Sequence, residues 1–416
     1  MLEPVKSERS GQPLATDSGA YENFNTGFFD GLRAIAAFWV LTAHCMIWSA
    51  WSGPALPSAK LAVDLFMIIS GFLMAYNAHQ RAHVEPLSDR IFWLKFYVRR
   101  IFRLAPVYYL ALLCAVVLRG PLAGGYQYLI DHLTKFNLDF SAPLTFSTVL
   151  VHMGFLAGLV PSFTYATALP DWSLSLEAQY YLIFPALMLP FFRSRVLPIV
   201  LVTAAVCALF VIWDTGILAN GDRYFLEPSF ILLKLPVFLI GMLLCQASVG
   251  KGDGRQRFWL RATAMLMCLT QYPFYHVQTF WLVLIAALVL FLSTPQTGLP
   301  AIIQLRLSAA LSGKLSRSCS DLSYSVYLFH GFFVAIVGAT LFSSDEFVHL
   351  PNWARTTVLW TITIAGTTVV AFVVRAYVEA PGIALGRQVV EWMQPRNSRS
   401  EVIQTEFQPK NRVPGS

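Results

Sequence analysis

The chain of 416 residues is 56% hydrophobic and only 13% charged, with a formal charge of +7. Soluble domains carry about 25% charged residues, so this composition excludes an ordinary soluble enzyme and predicts an all-α, polytopic integral membrane protein. A surplus of Lys and Arg in cytoplasmic loops accounts for the positive charge without nucleic acid, and six cysteines with no CxxC or CxxH spacing imply neither a metal centre nor a disulfide framework.

Residues 1–27 are polar and read as a cytoplasmic tail, with no small-residue cleavage site after the first apolar run. From there, apolar runs predict about ten membrane helices, at 29–50, 61–78, 102–118, 173–191, 196–213, 229–247, 258–272, 278–294, 322–342 and 356–376. With the N-terminus inside, the loops holding Arg81 to Arg103, Arg193, Arg195, Lys251 to Arg261 and Arg306 to Arg317 all face the cytoplasm, whereas Lys60, Arg119, Lys135, Arg223 and Arg355 face outward. The expected orientation is therefore N-in and C-in. The run at 149–165 is apolar enough to be an eleventh span, but counting it would invert every later loop. It reads instead as a re-entrant element within a long outer excursion, 119–172. One membrane domain covers 28–387, and the polar segment 388–416 is expected to be a disordered cytoplasmic tail.

Several polar side chains interrupt these runs. In the first helix, Arg33 and His44 are eleven residues apart, close to three full turns, and so share a face about 16 Å apart along the axis. Burying an arginine in lipid is costly, so that face is expected to line an interior cavity; a snorkelling Arg33 and a packing His44 fit the same spacing. Arg99, Arg100 and Arg103 stand at the inner mouth of the third helix, followed by Tyr108. On position alone a topological signal is the first reading, with lipid contacts or forks for phosphate as the alternatives. In "DWSLSLEAQYY", Glu177 and Tyr181 share a face on the outer half of the fourth helix, and a carboxylate there is expected beside His44, fixing its tautomer. Lys234 is a cation inside the sixth helix next to Pro236. Ser323, Tyr324, Tyr327 and His330 lie on the ninth, and Arg375 with Glu379 reads as a structural ion pair on the tenth.

Arg33 with ten residues to His44, "VDLFMIISGF" at 63–72, "RRIFRLAPVYY" at 99–109, "WSLSLEAQYYLIFP" at 172–185, "LPVFLIG" at 235–241, "SYSVYLFH" at 323–330 and "VEAPG" at 378–382 together resemble the membrane-bound acyltransferase-3 family. The resemblance covers 28 to about 387. It implies a multi-pass inner-membrane O-acyltransferase that takes an acyl group, often acetyl, from cytoplasmic acyl-coenzyme A to a hydroxyl of a glycan or similar acceptor, without a metal. It assigns Arg33 and His44 as the essential pair, Glu177 as the acidic residue of the Trp-Ser-Leu motif, and Arg99, Arg100 and Arg103, with Tyr108, as donor contacts. Trp172, Ser173, Tyr181, Lys234 and His330 are the candidate acceptor contacts. Relatives often carry a tryptophan before the motif histidine where this chain has Phe329, and some carry an appended esterase-like domain for which the polar tail has no room.

On this reading His44, oriented by Glu177, is the general base, with Arg33 or Lys234 stabilising the oxyanion; an acyl-His44 intermediate is the competing version. A transporter or flippase for a polyol or lipid-linked sugar is the rival class, since it too needs intramembrane charges, although no internal repeat of the transporter kind is visible. Neither the acceptor nor the acyl-chain length is legible.

Overall fold

The computed structural model of the chain describes residues 24–51, 56–82, 85–133, 144–191, 196–214, 225, 227–250 and 252–393. Among them no strand is present, and the all-α expectation holds. The α-helices longer than four residues are α1 (Phe28–Trp48), α2 (Ala59–Ala82), α3 (Arg90–Val117), α4 (Arg119–Leu133), α5 (Phe146–Met153), α6 (Trp172–Phe191), α7 (Val196–Asp214), α8 (Ile231–Val249), α9 (Gly254–Met267), α10 (Thr279–Ser293), α11 (Leu299–Leu311), α12 (Lys314–Phe342), α13 (Asn352–Val374) and α14 (Ala380–Trp392). Seven helical stretches among the described residues are long and apolar enough to cross a bilayer, which makes this an integral membrane protein.

The interior of the bundle is built on α1, α2, α8 and α12. Their crossings are close because small residues stand where the helices meet. A Cβ at Gly71 of α2 would lie 2.1 Å from the Phe238 carbonyl oxygen, and one at Gly241 of α8 would lie 2.0 Å from that of Ile68. Backbone therefore rests on backbone, the packing that drives helix association where lipid removes the hydrophobic difference. Gly125 of α4 meets the Ala335 carbonyl of α12 in the same way. Gly382 and Gly386 of α14 seat on Pro106 and Phe102 of α3, which explains why a proline inside α3 is tolerated beside the "APG" stretch.

A helix stands at each of the ten expected spans, and three more elements correct the sequence reading. The excursion 119–172 opens with α4, which is joined to α12 by hydrogen bonds from Tyr126 to the Gly331 carbonyl and from Tyr128 to the Phe342 carbonyl. The loop before 322 holds α11, started by Gly298 at φ +65° and Pro300. The supposed tail is helical to Trp392, because α13 continues through a π turn, Arg375–Glu379, into α14; residues 394–416 lie outside the described ones. The 149–165 segment begins inside the eight-residue α5, Phe146–Met153, which is about 12 Å long, far short of a hydrocarbon core of about 30 Å. Two single 3₁₀ turns, at 157–159 and 161–163, follow it.

Candidate active site

Two adjoining cavities, of about 330 and 600 Å³, open at the end of the bundle where α1 begins. The larger is a basic mouth, lined by Arg81 of α2, Arg99, Arg100 and Arg103 of α3, Arg375 of the π turn and Arg387 of α14. Arg33, Asp30, Asn77, Arg100, Arg103, Ser323 and Tyr324 line both cavities and form the passage between them. The smaller cavity follows α2 from Asn77 to Val63, about 21 Å along the axis. It reaches Ser173, Glu177 and Tyr181 of α6 and Tyr327 of α12.

The electrostatics of this mouth are unbalanced. Arg375 is held by Glu379 at 3.0 Å and Asp321 at 3.2 Å, as the sequence anticipates. By contrast, Arg33, Arg99, Arg100 and Arg103 have no hydrogen-bonded or ion-paired carboxylate among the described residues. Arg100 instead lies over the rings of Phe96 and Tyr181, at 5.4 and 5.3 Å from their centroids. Tyr181 in turn donates its hydroxyl proton to Glu177. Close like charges around a solvated cleft are stable chiefly when an anion fills it, and guanidinium forks suit phosphate oxygens.

At the far end of the smaller cavity, the hydroxyls of Tyr327 and Ser173 are 2.7 Å apart, and Tyr327 also reaches the Pro170 carbonyl at 3.0 Å. One turn further along α12 stands His330. Its Nε2 is 2.7 Å from Nδ1 of His44, and its own Nδ1 is 2.7 Å from the Tyr327 carbonyl oxygen. The expected pairing of His44 with Glu177 is therefore corrected: the imidazole's partner is His330, while Glu177 belongs to the cavity with Arg33 and Tyr181. The expectation of one passage shared by Arg33 and His44 is corrected too. Arg33 lines both cavities, whereas His44 lines neither and is linked to the smaller one through His330 and Tyr327, whose hydroxyl meets Ser173.

Two further assignments change place. Lys234 is fully buried, 2.9 Å from Asp64 and from the Tyr275 hydroxyl, which itself donates to Asp64 at 2.8 Å. It ties α8 to α2 and has no open face toward either cavity. Tyr108 is also turned away: its hydroxyl contacts Asp171 at 2.9 Å and the His152 carbonyl at 3.0 Å, and Asp171 accepts from His152 Nδ1 at 2.6 Å. These bonds clasp α3 to the ends of α5 and α6. Trp172 is buried and lines neither cavity, whereas Ser173 and Tyr181 do line the smaller one.

The sequence reading singled out neither Asp64, Tyr275 and His152 nor the cavity residues Asp30, Ser70 and Asn77. A lone carboxylate within the apolar run of α2 was the available signal for Asp64, since an unpaired charge there demands a cation on another helix.

The acyltransferase domain family matches residues 26–376. BcsY of Komagataeibacter xylinus, which carries the name of a membrane-bound transacylase, is 27% identical over 330 residues, covering 75% of this chain and 74% of its own length. The peptidoglycan O-acetyltransferase OatA of Listeria monocytogenes is 25% identical over 182 residues, covering 39% of this chain and 24% of OatA. An uncharacterized protein of Haemophilus influenzae is 26% identical over 193 residues, covering 44% and 73%. No solved structure matches the chain.

Proposed function

The chain belongs to the acyltransferase-3 family, and from this premise we propose that it moves an acyl group, in the first place acetyl, from cytoplasmic acyl-coenzyme A to a hydroxyl of a cell-envelope glycan. That it is an integral membrane acyltransferase follows from the family match and its membrane-bound relatives. The donor, the acceptor, residence in the inner membrane and the N-in, C-in orientation with about ten crossings are our reading. The similarity to OatA, a peptidoglycan O-acetyltransferase, supports an O-linked acceptor on a glycan.

One observation carries the reading of the donor. Four guanidiniums without carboxylate partners among the described residues surround the mouth of a cleft that leads about 21 Å into the bundle. Coenzyme A has the matching form, a polyanionic nucleotide on a long uncharged arm. In this account Arg99, Arg100 and Arg103 hold the phosphates while the arm lies along α2, since an uncharged arm enters low dielectric at far lower cost than phosphates do. Arg33, at the junction of the cavities, is placed to bind phosphate or to polarise a carbonyl.

Chemistry requires the thioester to pass the Tyr327–Ser173 contact and meet His44. The acceptor hydroxyl gives its proton to His44 as its oxygen bonds to the thioester carbon, and the carbonyl electrons move to oxygen. Collapse restores the carbonyl and breaks the carbon–sulfur bond, and the leaving thiolate recovers the proton from His44. Base assistance of this kind is commonly worth about 10² to 10⁴ in rate.

The test uses purified full-length protein in detergent with acetyl-coenzyme A, reading release of the free thiol, alongside mass spectrometry of envelope glycans with and without the gene. His44→Ala is expected to abolish release in protein that remains folded, and loss of the gene to remove an acetyl mass. Wild-type turnover by a folded His44→Ala protein would sink the assignment.

A further inference from the structure

The two histidines lie edge to edge. Their planes are within 6° of parallel, and their centroids are 4.9 Å apart. That separation is too wide for face-to-face stacking of rings whose nitrogens are 2.7 Å apart, and it nearly equals that bond plus the two ring radii. The rings are therefore close to coplanar, so that an N–H on one points along the lone pair of the other.

The direction of this bond follows from its neighbours. A carbonyl oxygen can only accept, so the 2.7 Å contact between His330 Nδ1 and the Tyr327 carbonyl places a proton on that nitrogen. His330 is buried, and its polar ring contacts are to His44 and to backbone carbonyls of α12, groups without negative charge, which disfavours an imidazolium. In the neutral ring Nε2 is then unprotonated and accepts. His44 Nδ1 must donate to it, which leaves His44 Nε2 as the basic nitrogen.

We propose that His330 is a positioning residue: through the Tyr327 carbonyl it fixes the tautomer of His44 so that Nε2, not Nδ1, receives the acceptor's proton. This rests on the acyl-transfer reading above and goes beyond it. It assigns the role that a carboxylate fills in hydrolytic triads to a neutral imidazole, and it removes His330 from the acceptor contacts. The backbone of α12 is part of the device, because Tyr327 presents its carbonyl to His330 while its hydroxyl closes the donor cavity at Ser173.

The experiment compares His330→Leu, His330→Asn and His330→Gln in the purified full-length protein, with acetyl-coenzyme A as donor and water as acceptor. Glutamine sets an amide oxygen near the position of the lost Nε2, whereas asparagine reaches only as far as Nδ1. Leu and Asn are expected to lower kcat by about 100-fold or more, with Gln recovering to within about tenfold of wild type. KM for the donor is expected to stay within about threefold in all three, because His330 lines neither donor cavity. Equal loss in a folded Gln variant and in Leu, or wild-type kcat in Leu, overturns the proposal.

A second measurement does not depend on turnover. In protein labelled with ¹⁵N at histidine, the His44 ring, assigned by its loss in His44→Gln, is expected to show a protonated Nδ1 and a bare Nε2, and to become a tautomer mixture in His330→Leu. The opposite wild-type tautomer refutes the positioning role whatever the activity. Failure of wild-type protein to release thiol, with the expected tautomer present, counts against the acyl-transfer reading instead.

Discussion

The basic mouth and the Lys234–Asp64–Tyr275 knot both consist of charged groups set in apolar helices, yet they answer opposite needs. In the knot every charge meets its complement inside the protein: Lys234 is 2.9 Å from Asp64 and from Tyr275, and nothing is left over for a ligand. In the mouth, Arg33, Arg99, Arg100 and Arg103 face shared space, and no carboxylate among the described residues is bonded to them. What separates a structural charge from a functional one here is where its counter-ion comes from. Membrane depth and residue type do not separate them.

The comparison can be broken first at the knot, where the largest effect is expected. Lys234→Met leaves Asp64 without its cation in the tightest part of the bundle, and breaking a buried pair on one side typically costs about 3–5 kcal/mol. Thermal unfolding in detergent should show a large loss for Lys234→Met and for Asp64→Leu, and recovery of most of it in the double variant. A single variant with wild-type stability would mean that the knot is not what holds α8 to α2.

The mouth should respond in the opposite sense. Arg99→Ala with Arg100→Ala removes two repelling cations, so stability should be unchanged or slightly improved. KM for acetyl-coenzyme A should rise by about 10- to 100-fold, the scale of one or two charge-assisted contacts, with little change in kcat. Added salt should raise the wild-type KM toward that of the variant as screening weakens contacts in this solvated cleft. A variant that lost kcat and kept KM would put these residues in the chemistry, not in donor binding.

The same distinction explains what was legible in the sequence. Apolar runs predict where helices stand, because length and hydropathy are local, although seven helical stretches among the described residues, not ten, are long and apolar enough to cross a bilayer. Helical period placed Arg33 and His44 on one face of α1, and motif order placed the family. Partner choice was not local: Asp64 is 170 residues from Lys234, and His330 is 286 residues from His44. Only the glycine-set crossings of the bundle bring them together. The sequence marks intramembrane charges and imidazoles without saying which will be consumed by one another, so it pairs Glu177 with His44, where the structure has His330, and leaves Lys234 open, where the structure has Asp64. α4 was hidden for a different reason. Gly120, Gly124 and Gly125 lower helix propensity, and only the approach of Gly125 to the Ala335 carbonyl shows why one of them is needed.

The smallest predicted effect tests the comparison within the mouth itself. Arg375 lines the larger cavity like its neighbours, but Glu379 and Asp321 already engage its guanidinium. If a counter-ion within the protein is what marks a structural charge, Arg375→Ala should leave KM for acetyl-coenzyme A within about threefold of wild type, while Arg100→Ala, equally close to the cavity, raises it well beyond that. Stability should fall, though by less than at the knot, because Arg375 is partly solvated while Glu379 is buried. Asp321 is largely exposed and loses little, and the buried Glu379 keeps Arg103 as an electrostatic neighbour when Arg375 is gone. Equal KM effects from Arg375→Ala and Arg100→Ala would show that proximity to the cleft governs donor binding and that prior pairing is irrelevant to it.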